Sequence, residues 1–348
     1  MSQRDVKSDI HKILVLRFSS LGDVVMATPM LRCLRTAYPK AQIDMVVRED
    51  FYDLIAHSPY LDQKISLSRG SGLSGLRTLK KRLSREGYDL IYDAHQSLRT
   101  RFLMPLLPAR YKAYYQKHYL RRSMALTFKL PILKDERMLN RYLDPLLPYG
   151  VVWDGKGPEI FFPQSTLDAV PNLELPTGPL VGLVPSAQWE GKRWPAEKFR
   201  ELLKHLVDRT EYGIVVFGGK SDHFCKEIAQ DFPSDRVVNT QGQLSILQAS
   251  ALLKRCRFAI ANDTGLMHLA DAVGVPCVLV LGPTSREMGC LPFHPQSQIV
   301  ERSLWCRPCS KNGQAPCIRK KRWCLELVGA EEVFERARQL SLLCGESA

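Results

Sequence analysis

The chain has 348 residues, 45% of them hydrophobic, and a formal net charge of +13 at pH 7. That length is enough for two domains, each with its own core. No apolar run approaches the ~20 residues of a membrane span, and the polar start, Met1 to His11, reads as neither signal nor transit peptide. A cytoplasmic protein is expected, its ten cysteines mostly reduced.

The charge is unevenly placed. Between Lys64 and Arg141 there are 18 Lys and Arg against 5 Asp and Glu, whereas the rest of the chain holds 31 of each. Confinement of the whole excess to one part of the first half points to an anionic partner: phosphorylated substrate, acidic lipid surface or nucleic acid. A merely solvated basic surface is the plain alternative.

In chain order, Lys12-Ile-Leu-Val-Leu-Arg-Phe18 suits a buried parallel strand. It ends in Ser19-Ser20-Leu21-Gly22-Asp23, and a helix pattern follows through Leu34. A start near Val25 or later keeps Pro29 in the early turns, where proline is tolerated. Gln42 to Arg48 is the next strand, completing a βαβ unit. A strand at Ile65 to Ser68, a basic helix from Gly75 to Arg85 and a strand at Asp89 to Asp93 continue the alternation. The pattern predicts a parallel sheet covered by helices. From Ser97 to Gly150 it is less regular, with aromatics and charge mixed around Arg121 and Arg122 and a helix expected from Arg137 to Leu147. Between Trp153 and Pro179 five prolines and three glycines mark the expected domain boundary.

A second series begins at Leu180. The strand Val181 to Val184 leads into Pro185-Ser186 and on to Lys192-Arg193-Trp194-Pro195, and a helix runs from there to about Asp208. The strand Ile214 to Phe217 closes on Gly218-Gly219-Lys220-Ser221-Asp222. The strand Arg236 to Asn239 and the helix Ile246 to Lys254 follow. A buried run, Phe258 to Ala261, then stops at Asn262-Asp263-Thr264-Gly265, where a helix pattern with Leu266, Leu269, Ala270 and Val273 on one face begins. Val278 to Leu281 is a further strand, ending at Gly282-Pro283-Thr284.

Walker A and G-x-S-x-G sequences are missing, which removes most of the support for P-loop and α/β-hydrolase readings, and Gly70-Ser-Gly72-Leu-Ser-Gly75 matches G-x-G-x-x-G by spacing alone, a weak signal. What remains is three strand-end loops in the second half: Ser186 with Lys192, the Gly218-Gly219 turn with Asp222, and Asp263-Thr264-Gly265. Backbone N–H groups and a lysine can bind a diphosphate, and an acid can hold ribose hydroxyls. In the first half, Asp23 sits at a strand-to-helix turn where a carboxylate can serve as a base. Its position suits an N-cap equally. Cys306, Cys309, Cys317 and Cys324 form C-x2-C-x7-C-x6-C, which can surround a tetrahedral metal or simply pack, and no metal or cofactor is expected. His268 and His294 read as structural histidines.

Ile13-Leu-Val-Leu-Arg-Phe-Ser-Ser-Leu-Gly-Asp23, Pro185-Ser186, Lys192-Arg193-Trp194-Pro195, Asn262-Asp-Thr-Gly-Leu-Met-His268-Leu and Leu281-Gly-Pro-Thr284 together resemble glycosyltransferase family 9, the ADP-heptose:lipopolysaccharide heptosyltransferases. The resemblance implies an α/β, GT-B fold of two Rossmann-like domains facing a central cleft. The acceptor-binding domain would span 1–165, with a helix in 330–348 packing back on it, and the donor-binding domain 176–329. It implies inverting transfer of L-glycero-D-manno-heptose from ADP-heptose to the lipopolysaccharide inner core. Asp23 would be the base. The donor would be held by Ser186, Lys192, Asp222, Asp263, Thr264, Gly265, Leu266 and His268, and the anionic acceptor by Ser20, Gly22, Arg121 and Arg122. The protein would be a monomer on the cytoplasmic face of the inner membrane, in peripheral contact with it and without a nucleic-acid partner. Two other readings are a related GT-B transferase using another nucleotide sugar and a non-catalytic basic binding protein. Asp93-Ala-His95-Gln-Ser and Ile318 to Trp323 depart from the family pattern.

Overall fold

The computed structural model describes residues 9–128, 137–170 and 173–344. Residues 129–136 of the basic stretch, 171–172 of the expected boundary, most of the polar start and the last four residues of the expected C-terminal helix lie outside them.

The chain divides into two units, one of residues 1–118 and 138–161, the other of 119–137 and 162–348. In the first, β1 (Lys12–Leu16), β2 (Gln42–Arg48), β3 (Gln63–Leu67), β4 (Leu90–Asp93) and β5 (Tyr111–Tyr114) form a sheet in the order β3-β2-β1-β4-β5. Every pairing is parallel. Four of the five β1 residues are buried, as expected of aliphatic runs covered on both faces. Where one helix was expected after β1, there are two. α1 (Leu21–Met26) starts straight off the strand-end turn, and α2 (Thr28–Ala37) restarts after Ala27 with Pro29 in its first turn. Proline lacks the N–H a helix interior needs, so the chain breaks before it. α3 (Gly72–Leu83) and α4 (Leu98–Leu106) follow β3 and β4 and pack on each other. Their Leu79, Leu83, Leu103 and Met104 join one core with Leu14, Leu16 and Ile91.

α5 (Tyr119–Phe128) groups with the second unit, which corrects its expected place in the first domain. Only Ala125 of this helix is buried. The second sheet holds β6 (Leu180–Val184), β7 (Gly213–Val216), β8 (Val237–Asn239), β9 (Cys256–Asn262), β10 (Cys277–Leu281) and β11 (Gln298–Glu301), in the order β11-β10-β9-β6-β7-β8. α6 (Ala196–Arg209), α7 (Ile246–Lys254) and α8 (Gly265–Ala272) are among the helices that connect these strands.

The last helix, α9 (Ala330–Leu343), packs on α6, β9, β10 and β11. The helix was expected to pack back on the first domain, and these contacts are with the second unit. The physical reason is its apolar face: Val333, Phe334, Ala337 and Leu340 are buried in the second unit's core with Phe258, Val278 and Leu202. Arg209 with Glu331 and Arg302 with Glu332 pin its polar start to the same unit. Among the described residues, no helix is long and apolar enough to cross a membrane.

Candidate functional site

In both sheets the strand order reverses beside the first strand of the unit, between β1 and β4 in one and between β6 and β9 in the other. At such points the loops leaving adjacent strand ends diverge and leave a crevice for ligands.

In the first unit, parallel register sets Leu16 against Asp93, so the loops after β1 and β4 leave side by side. Ser20 caps α1, and its backbone N–H and hydroxyl donate to Asp23 Oδ2 at 3.3 and 2.8 Å. The same oxygen is 2.8 Å from the Arg17 guanidinium. Arg17 is buried and also donates to the Ala94 carbonyl at 2.7 Å. The Asp23 side chain nevertheless remains 34% exposed. Burial acts to raise its pKa, but Arg17 and the Ser20 hydrogen bonds outweigh it and hold the carboxyl below the usual range. An ionised, reachable carboxylate results. Gly22, beside it, is half-buried.

His95 completes this cluster, and sequence reasoning missed it as a site residue. Buried Asp93 accepts the His95 and Gln96 N–H groups at 3.0 and 2.8 Å, which fixes the loop. The His95 ring meets Phe18 edge-on at 5.8 Å. Burial, followed by the positive field of Arg17, lowers its pKa to about 3, so the imidazole is neutral at neutral pH. The available signal was its place at the end of the strand paired with β1. Tyr142, also unforeseen, donates to the Asp23 carbonyl at 3.2 Å and stacks with Tyr115 at 4.6 Å.

In the second unit, register sets Val184 against Ala261, which brings the Pro185 and Asn262 loops together. Buried Asn262 joins them: its amide donates to the Pro185 carbonyl at 2.7 Å and its Oδ1 accepts the Trp194 N–H at 3.2 Å. Lys192 Nζ lies 2.7 Å from Asp263 Oδ2, which also accepts the Thr284 hydroxyl at 2.9 Å. Thr264 caps α8 through its backbone alone, with no side-chain hydrogen bond to the helix, so the N–H groups of Gly265 and Leu266 start the helix unmasked. Ser186, just after Pro185, and His268, in the first turn of α8, are both buried. Asp222 accepts the Gly219 N–H at 2.8 Å and stands 3.8 Å from the Arg193 guanidinium. It therefore holds the glycine turn.

The cysteine-bearing segment packs on the lysine loop, a contact the sequence did not announce. A Cβ on Gly191 would lie 2.3 Å from the Gly313 carbonyl oxygen, and one on Gly313 (φ +82°) would lie 2.6 Å from Lys192 Cγ. Backbone thus covers the stem of Lys192, where only glycine fits. The cysteines are free thiols. Burial pushes the Cys324 thiol up to about 11. The described residues contain no group of three or more side chains placed to hold a metal.

Arg121 is exposed on α5, and Arg122 reaches Met288 Sδ at 3.7 Å, so both belong with the second unit. The structure does not group them with Ser20, Gly22 and Asp23.

Two doubly wound units, one presenting an accessible carboxylate at the switch point of its sheet and the other a lysine beside a helix start, define a two-domain glycosyltransferase of the GT-B class. The family model of glycosyltransferase family 9 (heptosyltransferase) matches residues 76–317. The chain belongs to that family. It is 29% identical over 303 residues to lipopolysaccharide heptosyltransferase 2 of Salmonella typhimurium, covering 79% of this chain and 83% of the relative. A family 9 glycosyl transferase from Veillonella parvula superposes with a TM-score of 0.79 at 23% identity, covering 96% of this chain and 98% of that one. The ADP-heptose lipopolysaccharide heptosyltransferase II of E. coli does so at 0.74 and 23%, covering 95% and 99%.

Proposed function

We infer that this protein transfers heptose from ADP-heptose to the inner core of lipopolysaccharide, inverting the anomeric centre, with Asp23 as general base. The observation that carries the assignment of the base is a carboxylate held ionised by Arg17 and Ser20 yet one-third exposed. An acceptor hydroxyl gives its proton to Asp23 as its oxygen attacks the anomeric carbon, and ADP departs from the opposite face. Departure builds charge on the diphosphate. Lys192 and the N–H groups of Gly265 and Leu266 neutralise it. Lys192 Nζ pairs with Asp263, so a donor phosphate at Nζ would compete with that carboxylate. Ser186, Asp222, Thr264 and His268 complete the donor-binding set in this reading.

On the acceptor side, Ser20 and Gly22 adjoin the base, and Arg48 and Lys117 add positive field around His95. Arg121 and Arg122 complete the acceptor-binding set in this reading. The enzyme is read as a monomer acting at the cytoplasmic face of the inner membrane, where its basic excess meets an anionic surface.

Asp23→Asn keeps the shape and removes the base, so turnover is expected to fall by roughly 10²–10⁴-fold with ADP affinity nearly unchanged. Near-normal turnover in that variant would remove the assignment.

A further inference from the structure

α4 carries an apolar row on its outer face. Leu98, Phe102 and Leu106, four residues apart, are 78%, 73% and 59% exposed, while Thr100, Leu103 and Met104 face the core. Residues at that spacing share one side of a helix. Exposed Arg99 and Arg101 flank the row. On α3, which packs against α4, Leu73, Arg77 and Lys81 form a second exposed row, continued by Arg85 beyond the helix end. Soluble surfaces rarely keep so ordered an apolar row uncovered.

We propose that the α3–α4 face docks on an anionic lipid bilayer, with Leu98, Phe102 and Leu106 entering the boundary between headgroups and acyl chains. The proposal deepens the reading above and rests on it for a membrane-bound acceptor. Arginines beside an apolar row have stems long enough to lie along it while their guanidinium groups reach lipid phosphates. The basic row of α3 supplies the electrostatic half of the same contact. Charge selects this occupant over a second copy of the chain, because two copies would bring the same basic excess face to face. Nucleic acid fits less well, since two of the three apolar side chains are aliphatic and Phe102 alone could stack on a base. α4 begins two residues after Gln96, and Arg101 holds the Gln96 side chain at 3.2 Å. Docking through α4 therefore sets the His95 loop close to the lipid surface.

The test is sedimentation of the full-length protein with vesicles of phosphatidylethanolamine and phosphatidylglycerol, against vesicles of phosphatidylcholine, over a salt series. Phe102→Ser with Leu106→Ser is expected to weaken binding to the anionic vesicles by at least ~10-fold. Arg77→Glu with Lys81→Glu is expected to weaken it ~10-fold or more and to flatten the salt dependence. Both variants should keep wild-type ADP affinity and transfer to an acyl-free, soluble acceptor. Unchanged vesicle binding in both variants overturns the proposal. So does a wild-type dimer that the serine variant dissociates, which would give the row to a second copy. If the wild type transfers nothing to the soluble acceptor, the functional reading fails, and the vesicle result still decides this proposal.

Discussion

At the residue scale, the account turns on how Asp23 stays charged. Burial alone would push its pKa upward; Arg17 and Ser20 reverse that. A carboxyl with a lowered folded-state pKa stabilises the fold above its unfolded pKa, and loses that contribution as pH falls through the folded value. The same shift places the acid limb of the rate profile below the ordinary carboxylate range. Arg17→Met keeps most of the buried volume and removes the counter-charge. Burial then acts unopposed by that charge, so the acid limb of kcat/KM should move upward in pH. Stability should fall by less than the ~3–5 kcal/mol of a fully buried broken pair, because Asp23 is one-third exposed. A pH-rate profile on the variant reads this directly; an acid limb that stays in place contradicts the role given to Arg17.

At the scale of elements, the tail segment braces Lys192, the lysine proposed to hold the donor. Gly313 has a left-handed backbone, and a Cβ there would press on Lys192 Cγ. Gly313→Ala should strain the loop by about 1 kcal/mol and displace the lysine, weakening ADP binding ~10-fold by calorimetry, with a small loss in melting temperature. Wild-type ADP affinity would show that the tail leaves the lysine alone. This contact was illegible in the sequence because 121 positions separate Lys192 from Gly313, and no local pattern links them. Asp23, Lys192 and the Asp263-Thr264-Gly265 turn were legible, because each lies where an aliphatic run breaks into polar residues. His95 was not, since its nearness to Asp23 follows from the pairing of β1 with β4 rather than from its neighbours in the chain. The partner of α9 was hidden for a similar reason. Its amphipathic pattern says that a face is buried, and only the fold says against what.

At the scale of the whole molecule, alternating strands and helices predicted two parallel sheets, and the observed orders confirm doubly wound topology in each unit. The edge strands β5 and β11 were missed because Tyr111-Lys-Ala-Tyr114 and Gln298-Ile-Val-Glu301 lack the aliphatic run that marks a buried strand. The place of α5 in the second unit was also missed, since contacts rather than sequence position decide it. In the proposed reading the two sheets divide the chemistry: one unit would supply the base, the other the cations and N–H groups that take the leaving diphosphate. The most direct test of that division is mass spectrometry of a heptose-deficient lipopolysaccharide core after incubation with the protein and ADP-heptose. The account predicts an acceptor heavier by one heptosyl residue with wild-type protein, and almost none of that product in the same time with either Asp23→Asn or Lys192→Ala. An unmodified acceptor with wild-type protein, or full product with both variants, would contradict it.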